Sequence, residues 1–279
     1  MRRVFLLLIL TIFSLSTFAE LKVAATIYPL YDLVRNIGGD RVKVEVLIPP
    51  SQNPHLFEFT PHRLVTLKDA RIIFFIGHGL DNWVLKVQDV LPQVRTVQVD
   101  EGVSLIGEGR EYNPHYWLSI PSVLRIVETI KKELVKEDPG NKSYYEKRYL
   151  DYREKLKRLQ GELGDLLKGI SSRYLVTYHD AWVYFARSFN LKILGVIDPS
   201  GTGGLAPRRI REIFEEMKKK GIHTLFVEPA VNISRLRPWL ERYGVRVFVL
   251  DPLGGVEGRR TYIELMRFNV SQVKRGLGE

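Results

Sequence analysis

Residues 139–169 read PGNKSYYEKRYLDYREKLKRLQGELGDLLKG, and the rest of the chain is organised around them. The apolar positions Tyr145, Tyr149, Tyr152, Leu156, Leu159, Leu163 and Leu166 are spaced 4, 3, 4, 3, 4 and 3 residues apart. Alternating steps of this kind place all of them on one seam of a continuous α-helix, with Lys, Arg and Glu on the remaining faces. Asp138-Pro139-Gly140-Asn141 marks the start and Gly169 lies near the end. At 1.5 Å per residue, roughly 25 helical residues extend about 38 Å, comparable with a small lobe. A seam of three heptads also suits a coiled-coil dimer arm. Its α/β flanks favour a spine that packs along both halves of one molecule.

On either side, short β-branched runs alternate with amphipathic charged stretches. Strands are predicted at 23–27, 42–48, 71–76 and 94–99 before the spine, and at 174–178, 192–196, 224–227 and 245–250 after it. Helical patterns fall between them at 29–37, 62–68, 207–220 and 233–243. Alternation of this type predicts an α/β fold with mainly parallel sheets, and four units on each side suggest two similar lobes. The expected division is 20–138 for the first lobe, 139–169 for the linking helix and 170–279 for the second.

The chain has 279 residues, 45% of them hydrophobic and 27% charged, which excludes disordered and fibrous classes. It contains no cysteine, so disulfides, thiolate metal sites, thiol nucleophiles and a lipidated cysteine are excluded for this sequence. Arg2 and Arg3 precede an apolar run from Val4 to Phe13, and Thr17-Phe18-Ala19 offers a small-x-small cleavage site. This pattern reads as a secretory signal peptide over 1–19, with an uncleaved anchor as the alternative. Without Arg2 and Arg3 the chain carries 40 basic against 32 acidic side chains, a net +8. Export to a periplasm removes the support that this charge would lend to a nucleic-acid partner.

With cysteine absent, a metal site must draw on His, Asp and Glu. His55 lies in a Pro-rich loop after the second strand, His115 in a loop before a helix, and His179 at the end of the first strand of the second half. Asp251 directly follows the strand 245–250. Parallel sheets bind ligands beyond the carboxyl ends of their strands, and all four residues lie near such ends. Singly, each of these histidines reads more readily as a hydrogen-bonded loop residue than as a ligand. The repetition of Asn-Pro-His at residues 53–55 and 113–115 is what singles them out. Three imidazoles and a carboxylate suit a first-row divalent ion, zinc especially.

These residues sit in longer motifs: Pro49-Pro50-x-x-Asn53-Pro54-His55-x-Phe57-Glu58-x-Thr60-Pro61, Asn113-Pro114-His115-x-Trp117-Leu118, and His179-Asp180-Ala181-Trp182-x-Tyr184-Phe185-Ala186. Gly79-Leu80-Asp81-x-Trp83 and Asp251-Pro252-Leu253-Gly254 join them in order, from about Leu21 to Tyr262. In this the chain resembles the solute-binding proteins of zinc and manganese ABC importers, the cluster A-I receptors. The resemblance implies two (β/α)4 lobes joined by one long rigid helix, with one metal ion in the cleft between them. It places the family's metal ligands on His55, His115, His179 and Asp251. It implies Zn2+ as the transported ligand, with Mn2+ the alternative, because manganese-selective members commonly carry a carboxylate where this chain has His179. It further implies a membrane permease with a cytoplasmic ATPase as partners, a monomeric receptor and no enzymatic activity. Two features depart from the family pattern. The His-rich loop of many zinc members is missing at residues 107–112, and Asn53 and Asn113 replace the usual aspartates.

The remaining motifs read more plainly. His78 is either a spare ligand or a cleft-lining residue, His62 a surface residue and His223 a structural one. Glu228 ends a strand near the cleft, where it could orient a ligand imidazole. Gly201-Thr202-Gly203-Gly204 lacks the lysine of a phosphate-binding loop and reads as a connection. Two other function classes compete with the receptor: a secreted zinc hydrolase using Asp251 as base, and a receptor for a metal chelate or haem. The hydrolase needs an open coordination position. A chelate brings its own donors and would not need four protein ligands.

Overall fold

A computed structural model describes residues 20–278 apart from 51, 61–63, 109–110, 199–205 and 230. The signal-peptide reading, His62 and the 201–204 glycine segment lie outside the described residues. Two four-stranded sheets carry the architecture. The first contains β1 (Leu21–Ala25), β2 (Val42–Val46), β3 (Ile72–Phe75) and β4 (Arg95–Gln98), in the spatial order β2-β1-β3-β4 with every pairing parallel.

Between these strands lie α1 (Tyr28–Gly38), α2 (Leu64–Leu67) and α3 (Leu85–Val90). A two-residue antiparallel ladder, β5 (Gly107–Glu108) with β6 (Glu111–Tyr112), follows β4, and α4 (Ile120–Glu137) leads into α5 (Lys142–Leu166). After α5 come β7 (Tyr174–His179), α6 (Val183–Ser188), β8 (Lys192–Asp198), α7 (Pro207–Lys219), β9 (Thr224–Val227), α8 (Arg237–Tyr243), β10 (Arg246–Val249) and α9 (Tyr262–Leu277). The second sheet has the order β10-β9-β7-β8, again all parallel. Numbered within its own half, each sheet runs 2-1-3-4, so the halves share a topology.

All eight predicted strands are present; β2, β3, β4 and β10 are each two residues shorter than their apolar runs, while β7 and β8 extend further, to His179 and Asp198. Leu47 and Ile48 lie beyond β2 yet still donate to Ala25 and Thr26 carbonyls, so hydrophobic continuity outlasts the regular ladder. The 233–243 pattern forms as a short 3-10 turn, Ser234–Leu236, running into α8, because Pro238 suits only the first turn of the α-helix. The two-residue ladder of 107–108 with 111–112 was not expected; α4 is the helix that the His115 loop was read as preceding, while α3, α6 and α9 lie outside the helical patterns named.

The helix α5 is 25 residues long. Tyr145, Tyr152, Leu156, Leu159 and Leu163 are buried along its seam, while Tyr149 is half-buried beneath Lys131. Leu166 departs from the expectation and is exposed, because the helix ends there and Leu167 turns inward in its place. At the other end the Asp138 carboxylate accepts from the Asn141 side-chain amide and from the Tyr145 hydroxyl, both at 2.7 Å, which anchors the first turn.

One continuous apolar cluster contains Val23 and Phe74 from the first sheet, Leu175 and Phe226 from the second, and residues of α1, α4, α5 and α9 between them. Each sheet has a second cluster on its outer face, under α2 and α3 on one side and under α7 and α8 on the other. The shared helical layer therefore locks the two sheets to each other with their strand ends facing one cleft. No helix among the described residues is long and apolar enough to cross a membrane.

Candidate metal centre

Each of the three histidines is placed by its local structure, and for two of them a neighbour also holds the ring. Asn53 accepts the His55 backbone N–H at 2.9 Å through Oδ1, and Pro54 opens the single 3-10 turn Pro54–Leu56 that carries the imidazole. This is the side-chain turn for which Asn and Asp are interchangeable. Asn113 repeats it: its Oδ1 accepts the His115 N–H at 3.0 Å and also lies 3.0 Å from Nδ1 of the same imidazole. The Asn113 amide in turn donates to the Asp180 carbonyl at 2.6 Å, so Oδ1 is the acceptor and His115 carries its proton on Nδ1. His179 is the last residue of β7, and its Nδ1 lies 2.8 Å from the Glu228 carboxylate. For His115 and His179 this leaves Nε2 as the ring nitrogen available to a metal ion.

The three rings converge. His55, His115 and His179 each offer a ligand atom, and the three atoms lie within 4.8 Å of one another. The Nε2 atoms of His55 and His115 are 3.1 Å apart. A tetrahedral zinc ion with Zn–N bonds of about 2.0–2.1 Å needs its nitrogens about 3.3 Å apart, so the pair is close to the geometry such an ion requires. His115 and His179 are only 4% and 5% exposed. Burial, reinforced by His179, lowers the His55 pKa to about 4. Burial and the two neighbouring imidazoles hold His115 well below the usual histidine range. Neutral imidazoles with aimed lone pairs are the form a metal ion binds.

Asp251 lines the same cleft, which has a volume of about 260 Å3. Its backbone N–H donates to Asn269 Oδ1, and the Asn269 amide donates back to the Asp251 carbonyl, both at 2.8 Å. The carboxylate itself is engaged: Oδ1 accepts from the N–H groups of Leu253 and Gly254, and Oδ2 lies 3.0 Å from Nε of Arg259. The structure thus brings three of the four expected ligands into one cluster and leaves the fourth at its edge, paired with an arginine. Nothing in the sequence marked Arg259, because its role rests on a loop that folds back over the strand end.

His78 does not join the cluster. It is held by Asp100 at 2.8 Å and Gln98 at 3.1 Å, on a backbone with φ +53° between Gly77 and Gly79. His223 precedes β9 and is exposed. Glu228 stands where the sequence suggested it could act, against a histidine ring.

Two similar parallel-sheet lobes, locked through a common helical layer and facing each other across a His-lined cleft, define the two-lobe receptor class. The family model described as "ZnuA: Zinc-uptake complex component A periplasmic" matches residues 23–276, and the chain belongs to that family. Its members are solute-binding components of transporters rather than enzymes. The manganese ABC transporter substrate-binding lipoprotein PsaA of Streptococcus anginosus is 26% identical, over 93% of this chain and 90% of its own length. The iron-binding protein YfeA of Yersinia pestis is 28% identical, over 94% and 88%. The zinc-binding lipoprotein AdcA of Streptococcus pneumoniae is 26% identical over 92% of this chain but only 56% of its own. A crystal structure of ZnuA superposes with a TM-score of 0.85 at 25% identity, covering 93% of this chain and all of that one.

Proposed function

We propose that this chain captures a divalent metal ion, zinc before manganese, with His55, His115 and His179 as imidazole ligands and Asp251 as the fourth donor. It then hands the ion to an ABC-type permease driven by a cytoplasmic ATPase. The observation that carries this reading is the convergence of three histidines in a buried cleft, two of them with the proton held on the far nitrogen by Asn113 and Glu228. Four protein donors close a tetrahedral shell, which suits capture and leaves no position for an activated water. Imidazole-rich sites favour zinc over the harder manganese ion. The manganese and zinc names of the relatives support the class of cargo and leave the choice between them to the ligand set. The reading includes a monomeric receptor exported to the periplasm, organised as a first lobe over 20–138, a linking helix over 139–169 and a second lobe over 170–279.

The test is metal content by elemental mass spectrometry, followed by zinc and manganese competition on the stripped protein. One zinc per chain that excess manganese does not displace, and that is lost in His55→Ala and His179→Ala, is expected. Preferred manganese would reverse the specificity, and the absence of any stoichiometric metal would overturn the reading.

A further inference from the structure

We infer that Arg259 competes with the metal ion for the carboxylate of Asp251, and so holds the site's affinity below what its four donors would otherwise reach. This rests on the metal-receptor reading above. Oδ1 of Asp251 is already taken by the N–H groups of Leu253 and Gly254, which leaves Oδ2 as the oxygen for a cation. Arg259 stands at that oxygen, its Nε 3.0 Å away. Three neutral imidazoles bring no negative charge to the site. Asp251 is therefore the only charged ligand, and the guanidinium at its Oδ2 neutralises the charge that an incoming dication would use.

The arginine is held in place by the loop that carries it. Its side chain is 20% exposed and lies over the Phe268 ring, 4.3 Å from the centroid. Its backbone N–H donates to Val256 and its carbonyl accepts from Gly255, both at 2.9 Å. Gly255 has φ +80°, and a Cβ there would lie 2.6 Å from Pro50 and 2.8 Å from Tyr28, so the loop is seated against the opposite lobe. Tyr28 reinforces this by donating its hydroxyl to the Arg260 carbonyl at 3.1 Å. Yet Nε, although buried, makes no aligned hydrogen bond; its contact with Asp251 is an ion pair without hydrogen-bond geometry. Such a pair attracts at short range but yields to a stronger charge. Arg259 is thus positioned to return to Asp251 when the ion leaves.

The experiment is zinc titration against a chelating indicator, with chelator-induced release rates, on the full chain. Wild type is compared with Arg259→Gln, Arg259→Met, Arg259→Lys, Asp251→Asn and the double variant Arg259→Gln/Asp251→Asn. Arg259→Met keeps the apolar stem over Phe268 and guards against a loop that loses its packing. Both neutral variants are expected to bind zinc about tenfold more tightly, mainly through slower release, with Arg259→Lys near wild type. In the Asp251→Asn background the arginine change should have little effect, since the group it competes for is gone. Unchanged or weaker binding in both neutral variants, or an equal gain with and without Asp251, would overturn the inference. Those results require wild type to bind zinc. A wild type that takes up no metal would instead remove the receptor reading, and this inference with it.

Discussion

Glu228, just beyond β9, holds Nδ1 of His179, the last residue of β7, at 2.8 Å. The two belong to neighbouring strands of the second sheet, at the point where its order turns from β9 to β7 to β8. Open α/β sheets gather ligands at such switch points. The carboxylate fixes which nitrogen of His179 faces the cleft and makes that nitrogen a stronger donor.

Removing this support should weaken metal binding without removing a ligand. Glu228→Ala is expected to lower zinc affinity about 10–100-fold, the usual range for a residue that orients a metal-binding histidine. Glu228→Gln retains an acceptor for Nδ1–H and should lose less. Calorimetric titration of both variants checks this, and an unchanged affinity in Glu228→Ala would contradict it.

Asn113 makes the equivalent contact for His115 and also reaches Asp180 beyond β7. Asn113→Asp keeps an oxygen acceptor for both the N–H and Nδ1 of His115, so the site should survive with modest change. Asn113→Ala loses both contacts, and its zinc affinity should fall by at least about tenfold. Comparing the two variants separates loss of the turn from simple loss of an amide.

In metal-free protein, His55 and Asp32 should drive stability in opposite directions over the same pH window. The folded His55 pKa of about 4 is below its ordinary value of 6.5. The unfolded chain therefore takes up the proton first, and stability is full above about 6.5 and lost as pH falls toward 4. From pH 7.5 to pH 5 the loss from this residue is about 2 kcal/mol, and His55→Gln should show that much less acid sensitivity. Burial raises Asp32 from 3.8 to about 6, so here the folded chain takes up the proton first and stability rises as pH falls. Asp32→Asn should accordingly be most stabilising, relative to wild type, at pH 7.5 and least at pH 5. Urea unfolding at the two pH values tests both signs.

The shared helical layer predicts a single unfolding transition for both lobes. Leu159 on α5 is 2% exposed within the cluster that reaches both sheets, and Leu159→Ala should cost about 2–5 kcal/mol. Leu150, on the opposite side of α5, is 53% exposed, and Leu150→Ala should change stability by less than about 0.5 kcal/mol. Coincident near- and far-ultraviolet circular dichroism melts are expected. Two separated transitions would show that α5 does not couple the lobes.

Much of this architecture is legible in the sequence alone. The α5 seam could be read because helical spacing is local and repeats over many turns, and its buried members are the ones the 4-3 spacing selected, Leu166 excepted. The central strands were legible as apolar runs, since a sheet covered on both faces leaves little polar alternation, as in β3 and β9, whereas the edge strand β2 alternates with Lys43 and Glu45 exposed. The ladder at 107–112 was not, because Gly107–Glu108 and Glu111–Tyr112 are two-residue strands with no hydrophobic run.

The site divides along the same line. Local chemistry settled the Asn-Pro-His turns, because an Asn side chain bonding two residues ahead needs nothing beyond its own segment. Residue identity likewise restricted any metal site to imidazole and carboxylate. Contacts between distant segments depended on the folded chain: His55 and His115 are 60 residues apart and meet at 3.1 Å. Their lowered pKa values follow from that shared burial, which a sequence does not express. The pairing of Asp251 with Arg259 depends on a glycine loop seated against Pro50 and Tyr28 of the other lobe. Motif spacing could nominate Asp251 as a ligand. Which cation its carboxylate faces is an outcome of packing between lobes, where the charges of remote segments are brought within a few ångströms of each other.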